Sequence, residues 1–129
     1  MDCLFCKIIA KQIPASLVFE DEKIVAFLDI NPVNPGHLLV VPKAHSANTA
    51  VAEDDDLVAL ALAVKKLAPA VMKATGAYGW NLLAVGEDVP HTHWHVIPRQ
   101  RNDELKHLPG HPYAAGEAAV IAKAISAAL

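Results

Sequence analysis

Three histidines alternate in His91-Thr92-His93-Trp94-His95, and the run continues into Val96-Ile97-Pro98-Arg99. Alternation at period two is the signature of a strand, so the spacing predicts that all three imidazoles share one face. Alternate strand residues lie ~7 Å apart, which puts His91 and His95 ~13 Å apart at the backbone. Metal–imidazole bonds are only ~2 Å long. One tetrahedral ion therefore cannot take all three from a regular strand, and the work is expected to divide. One end can hold a metal, leaving the rest for chemistry. A neutral imidazole is both a nucleophile and a proton carrier near neutral pH.

Further ligands are available elsewhere. Cys3 and Cys6 form a Cys-Leu-Phe-Cys knuckle and are the chain's only cysteines; His45 follows Pro42-Lys43-Ala44. Cys3, Cys6, His45 and His91 would make a Cys₂His₂ set, the pattern of a structural zinc site. A redox pair and a disulfide are the competing readings. A redox CxxC usually follows a strand in a βαβ unit, whereas this one starts at residue three. The amino terminus shows no basic segment followed by an apolar run, so an oxidising compartment is not implied and a cytoplasmic location is expected.

The 129 residues suit a single domain, 1–129, able to bury a core without disulfides. Net charge is −3 with no basic block, which gives no sign of a nucleic-acid partner. No stretch approaches the ~18 apolar residues of a membrane span.

The histidine row needs a frame. Leu17–Glu20 and Ile24–Leu28 flank Asp21-Glu22-Lys23 and read as a hairpin. Asn31-Pro32-Val33-Asn34-Pro35-Gly36 is a dense turn signal, followed by a largely buried strand from His37 to Pro42. Glu53-Asp54-Asp55-Asp56 opens a helix with acids where its dipole favours them. Leu57, Leu60, Ala61, Val64, Leu67 and Ala68 supply the apolar stripe, Pro69 should kink or divide it, and Gly76 should end it. Strands are expected over Gly79–Val85 and Val89–Ile97, joined through Gly86. Glu117–Leu129 reads as a final Ala-rich helix. The sum is an α+β fold, about five antiparallel strands with two main helices packed on them.

With these residues assembled, the chain resembles the histidine triad (HIT) family, on its nucleoside phosphoramidase side. The likeness covers almost the whole chain. It rests on the triad with its Ile-Pro-Arg tail, Phe5-Cys6-Lys7-Ile8-Ile9 with Ile13-Pro14-Ala15, and Phe19-Glu20-Asp21. Ala26 through Ile30, His37 through Lys43, and Ala52 through Asp56 match as well.

The resemblance implies a HIT-like fold and a hydrolase acting on a purine nucleotide or nucleotide conjugate. It makes His93 the nucleophile that attacks the α-phosphorus, giving a nucleotidyl-histidine that water hydrolyses. His95 would contact the phosphate or leaving group, and His91 would be a zinc ligand. A backbone carbonyl is expected to orient the His93 ring. Asp29 matches the position that binds the ribose hydroxyls, although its place before Asn31-Pro32 also suits a turn. Phe5, Ile8, Phe27, Ile30 and Leu39 match positions enclosing the base, and His37 matches a further active-site histidine. Arg99 could bind phosphate or be a surface charge. Members of this branch are typically homodimers, with Leu57–Val71 a candidate contact surface or interior packing.

Two departures stand out. The family's Gly-Gln-Ser/Thr-like segment, which holds phosphate and leaving group, is here Gly86-Glu87-Asp88-Val89-Pro90. Two carboxylates there would repel a polyanion, or would favour a cationic amine leaving group. The preceding loop also lacks the family's Asn-x-Gly stretch, and Asn81 sits too early to replace it. A nucleotide-binding protein with little turnover, and a catalytic transition-metal site built from the histidine row, are the alternatives.

Overall fold

β-Branched and apolar residues dominate two central strands, and the rest of the fold is arranged around them. The computed structural model describes residues 2–86, 88–105 and 110–129. The element order is α1 (Leu4–Ile9), β1 (Leu17–Glu20), β2 (Ile24–Leu28), β3 (Leu38–Pro42), a 3₁₀ turn (Thr49–Val51), α2 (Asp54–Thr75), β4 (Gly79–Leu83), β5 (Trp94–Arg99) and α3 (Glu117–Ala127). The five strands form one antiparallel sheet in the order β1-β2-β3-β5-β4.

Strands β2 and β3 are buried on both faces, which is why they read as unbroken apolar runs rather than alternating ones. Ile24, Ala26, Leu38, Val40 and Val96 pack under Leu60, Ala63, Val64, Leu67, Ala68 and Val71 of α2. Each fully buried leucine in this layer is worth ~1.5–3 kcal/mol. Val25, Phe27, Leu39 and Val41 face the other way, against Cys3, Phe5 and Ile8 of the α1 segment. His95 is paired with Leu39 and so emerges on the α1 face.

Several expectations are corrected. Strand β5 starts at Trp94, so only His95 of the triad is in the sheet. The backbone N–H of His91 donates to Val89, and that of Thr92 to Ser46 at 2.8 Å, so these residues bond to loops and not to a ladder. Strand β4 ends at Leu83, short of the expected Val85, and β5 begins at Trp94 instead of Val89, so the two strands are not joined directly through Gly86. Pro69 does not divide α2, which runs unbroken from Asp54 to Thr75. Its ring is exposed, so the carbonyl it leaves unpaired can face water while buried residues on both sides hold the helix down. The buried stripe of α2 takes Ala63 and Val71 in place of Ala61. Helix α3 forms but buries none of its residues, so it does not pack on the sheet as expected.

Gly36 is required where it stands. Its φ of +94° is left-handed, and a Cβ there would lie 2.6 Å from the Thr75 side chain. This close turn against the end of α2 delivers His37 to the head of β3.

Candidate active site and metal centre

Cys3 caps the first turn of α1, its sulfur accepting the Cys6 N–H at 3.5 Å. The knuckle therefore turns both sulfurs toward the His91 loop. Sγ of each cysteine lies 3.5 Å from Nδ1 of His91, Sγ of Cys6 lies 3.4 Å from Nδ1 of His45, and the two Nδ1 atoms are 3.1 Å apart. All four donor atoms fall within 4.8 Å of one another. The Nε2–H of His91 donates to the Pro42 carbonyl at 2.7 Å. A carbonyl can only accept, so neutral His91 presents a bare Nδ1 to the cluster. Burial pushes its pKa down, which favours that neutral form.

Zinc bonds of ~2.0–2.1 Å to nitrogen and ~2.3 Å to sulfur imply tetrahedral edges of roughly 3.4–3.7 Å. The observed spacings lie close to these. The 3.1 Å between the two Nδ1 atoms also suits an Nδ1–H of His45 donating to the bare Nδ1 of His91. The convergence of two thiols and two imidazoles on one point is what matches a tetrahedral site. The donor set therefore fits zinc.

The second cluster faces a cavity of about 280 Å³ between α1, β2, β3 and the triad segment. His93 is buried, and its Nδ1–H donates to the carbonyl of His91 at 2.7 Å. This fixes the tautomer and leaves a lone pair on Nε2, directed to the cavity. Oδ2 of Asp88 lies 3.9 Å from that nitrogen.

His95 is fixed by a longer chain. The N–H of Val33 donates to Nδ1 of His37 at 3.1 Å, so the proton of neutral His37 is on Nε2. That Nε2–H donates to Nδ1 of His95 at 2.8 Å. The proton of His95 must then sit on Nε2, which has no protein partner among the described residues. Burial lowers the pKa of both rings. Asp29, with Oδ2 3.6 Å from His37, works weakly the other way. The site thus pairs a bare nitrogen on His93 with an N–H donor on His95. A metal shared by His93 and His95 would need the opposite tautomer of His95.

The expected site residues distribute as follows. Phe5, Ile8, Phe27, Asp29, Ile30, Leu39, Asp88, His93 and His95 all line the cavity. Ile30 does so from the rim, at 89% exposure. Asp29 serves its turn as well: Oδ1 accepts the Asn31 N–H at 2.8 Å. His37 stands behind His95 and off the cavity wall. Leu4, Ile13, Pro14, Ala15, Leu28 and Val89 complete the lining. Ile13-Pro14-Ala15 belonged to the resemblance, but its apolar residues carry no signal that separates lining from core.

Arg99 is no phosphate ligand here. Its guanidinium donates to both oxygens of Asp103, and Asn81 is drawn to the same group. The expected carboxylate Glu87 lies outside the described residues. A wider groove of about 480 Å³ between the β1–β2 turn and α2 contains neither histidine nor cysteine.

Comparison with known proteins decides the family. The HIT domain matches residues 10–102. The chain belongs to the HIT family. The match begins after Cys3 and Cys6, so those two residues are additional to it. An uncharacterized HIT-like protein of Methanocaldococcus jannaschii is 46% identical over 106 residues, covering 78% of this chain and 81% of its own length. The adenylylsulfatase HINT3 of Arabidopsis thaliana is 38% identical over 109 residues, 81% of this chain and 55% of that protein. The crystal structure of a HIT family member from Bacillus subtilis superposes with a TM-score of 0.89 at 36% identity. That match covers 100% of this chain and 98% of the other. The five-stranded sheet with two main helices is thus a HIT fold. No helix among the described residues is long and apolar enough to cross a membrane.

Proposed function

We propose that this HIT protein is a nucleotide hydrolase that cleaves a nucleoside monophosphate from a small leaving group. The observation that carries the reading is the Nδ1–H bond of His93 to the His91 carbonyl, which leaves Nε2 bare at the cavity. The base is held between Phe5, Ile8, Phe27, Leu39 and the rim residue Ile30. The free acceptor of Asp29 takes the ribose hydroxyls.

The Nε2 lone pair of His93 forms a bond to the α-phosphorus. The phosphorus–nitrogen or phosphorus–oxygen bond to the leaving group breaks, and the leaving group departs with the electron pair and takes up a proton. The Nε2–H of His95 meets a phosphoryl oxygen or the leaving group and stabilises charge there. The His91 carbonyl accepts the strengthened hydrogen bond of the cationic His93 ring. Water then attacks the phosphorus and releases a proton to solvent, offsetting the one the leaving group took up, while the bond to Nε2 breaks and its pair returns to His93. The named activity of the Arabidopsis relative, an adenylylsulfatase, supports a nucleotide substrate.

Cys3, Cys6, His45 and His91 would hold a structural zinc, which when bound cross-links α1 to the segments after β3 and before β5. The same reading places the protein in the cytoplasm as a one-domain chain that forms a homodimer. Helix α2 keeps its apolar stripe in the interior, so that stripe is not free for the contact. A monomer at micromolar concentration in sedimentation would remove the dimer.

A second reading is specifically favoured by Asp88. A carboxylate beside the nucleophile repels a phosphate, which suits a protein that binds nucleotide and turns over little. Hydrolysis of an adenosine phosphoramidate by wild type and His93→Ala separates the two. Turnover lost in the variant supports the hydrolase, and tight AMP binding without turnover in wild type supports the second reading.

A further inference from the structure

Outside the cavity, five donors converge on one buried carboxylate. Asp103 accepts from Nε and Nη2 of Arg99 at 2.8 and 3.0 Å, and from the backbone N–H groups of Gln100 and Leu105 at 3.0 and 3.1 Å. The fifth donor is Nδ2 of Asn34, at 3.0 Å. The same Nδ2 also donates to the Pro98 carbonyl at 2.8 Å, so both amide hydrogens of Asn34 are used. The Asp103 side chain is only 4% exposed. None of these groups touches the cavity, and the chemistry above uses none of them.

Asn34 carries one of the two backbone groups that hold His37 and directly follows the residue that carries the other. Its own backbone carbonyl accepts the His37 N–H at 3.0 Å, closing the turn. Its neighbour Val33 donates to the His37 ring. Pinning the Asn34 side chain to β5 and to Asp103 therefore fixes where the Val33 N–H points. That N–H decides which nitrogen of His37 carries the proton, and His37 decides the same for His95.

We propose that the Arg99–Asp103–Asn34 clasp is a positioning device that sets the tautomer of His95, acting through the turn at Val33 and the ring of His37. Its consequence for turnover rests on the role given to His95 above; its consequence for the tautomer does not. Released from the clasp, the turn no longer aims Val33 at Nδ1. His37 can then present either nitrogen, and the cavity-facing Nε2 of His95 loses its fixed proton. Asn34 and Asp103 are thus positioning residues.

The test is long-range ¹H–¹⁵N spectroscopy of the imidazole rings at neutral pH in wild type, Asn34→Ala and the milder Asn34→Ser. Thermal midpoints and steady-state kinetics accompany the spectra. Wild-type His95 should show a single tautomer protonated at Nε2. Both variants should show a mixture, with kcat lower by about threefold or more and KM for the nucleotide within about twofold. Leu67→Ala, which loosens the core on the opposite face of the sheet, should lower the thermal midpoint and leave the tautomer alone.

A folded Asn34→Ser protein whose His95 keeps the pure Nε2–H form overturns the inference, as does a wild-type His95 protonated at Nδ1. A shifted tautomer with unchanged kcat supports the clasp and removes His95 from the proposed chemistry, so the two failures are distinguishable.

Discussion

His91 holds His93 by its backbone while offering its ring to the cysteines. The carbonyl of His91 accepts Nδ1–H of His93 at 2.7 Å, and Nδ1 of the same His91 lies 3.5 Å from both Cys3 and Cys6. One residue thus joins the four-donor cluster to His93, and whatever fixes its ring also fixes the carbonyl that orients His93.

Metal analysis should find about one zinc per chain, held by the four-donor cluster. Cys6→Ser should lose it, while His93→Ala should keep it. Chelation should lower both the thermal midpoint and kcat, since the His91 loop then loses its anchor. Zinc lost in His93→Ala and retained in both cysteine variants would point to a metal in the cavity instead.

Asp88→Asn should alter substrate choice. The side chain is 55% exposed, so its charge acts through a dielectric nearer water than protein. A unit charge at ~4 Å is then worth ~1 kcal/mol, or about fivefold in affinity. KM for substrates with anionic leaving groups should fall by about that factor, and any advantage of cationic amine leaving groups should shrink. Parallel kinetics on the two substrate types measure this; equal KM values in wild type and variant for both would show that Asp88 points away from the bound phosphate.

Stability should weaken on mild acidification. Burial holds His37 and His95 below the ordinary imidazole value of 6.5, so the unfolded chain takes up protons there that the folded protein refuses. Stability is complete above pH 6.5 and falls as the pH drops below it. Urea unfolding midpoints at pH 7.5, 6 and 5 should decline in that order, and His37→Gln should flatten the decline. The Glu20 carboxyl, drawn down to about 2 by Lys11 and then Lys43, acts in a separate, more acid window below its ordinary 4.5. A midpoint that is flat or rises from pH 7.5 to pH 5 would contradict the neutral rings.

Gly36→Ala should cost ~1–3 kcal/mol, combining a left-handed φ with a Cβ driven into Thr75. Chemical denaturation measures it. Because the turn also delivers His37, kcat should fall more than the lost stability alone explains.

The buried strand β3 and α2 with its acidic start were legible from residue type and spacing. The grouping of Cys3, Cys6, His45 and His91 rested on ligand chemistry and family resemblance, since its two histidines stand far apart in the sequence. Period-two alternation failed at His91 and His93, because Pro90 and the bonds to Val89 and Ser46 take that segment out of the sheet. Protonation states were not legible either. They are set by the Pro42 and His91 carbonyls and the Val33 N–H, backbone groups that every sequence supplies and only a fold can aim. Asp103 was invisible for a related reason: an aspartate after Gln100-Arg101-Asn102 reads as a turn residue until Asn34, 69 positions earlier, is seen to reach it. Helix α3 formed as its alanine content suggested, but nothing in its composition told whether it would find a partner surface.

The most direct test is rapid quenching of the reaction with an adenosine phosphoramidate, followed by mass spectrometry of the peptide that contains the triad. Wild type should carry an adenylyl group on His93, formed and lost at rates that account for turnover, and His93→Ala should carry none and turn over at background. An adduct on another residue, or wild-type turnover in His93→Ala, would contradict the account.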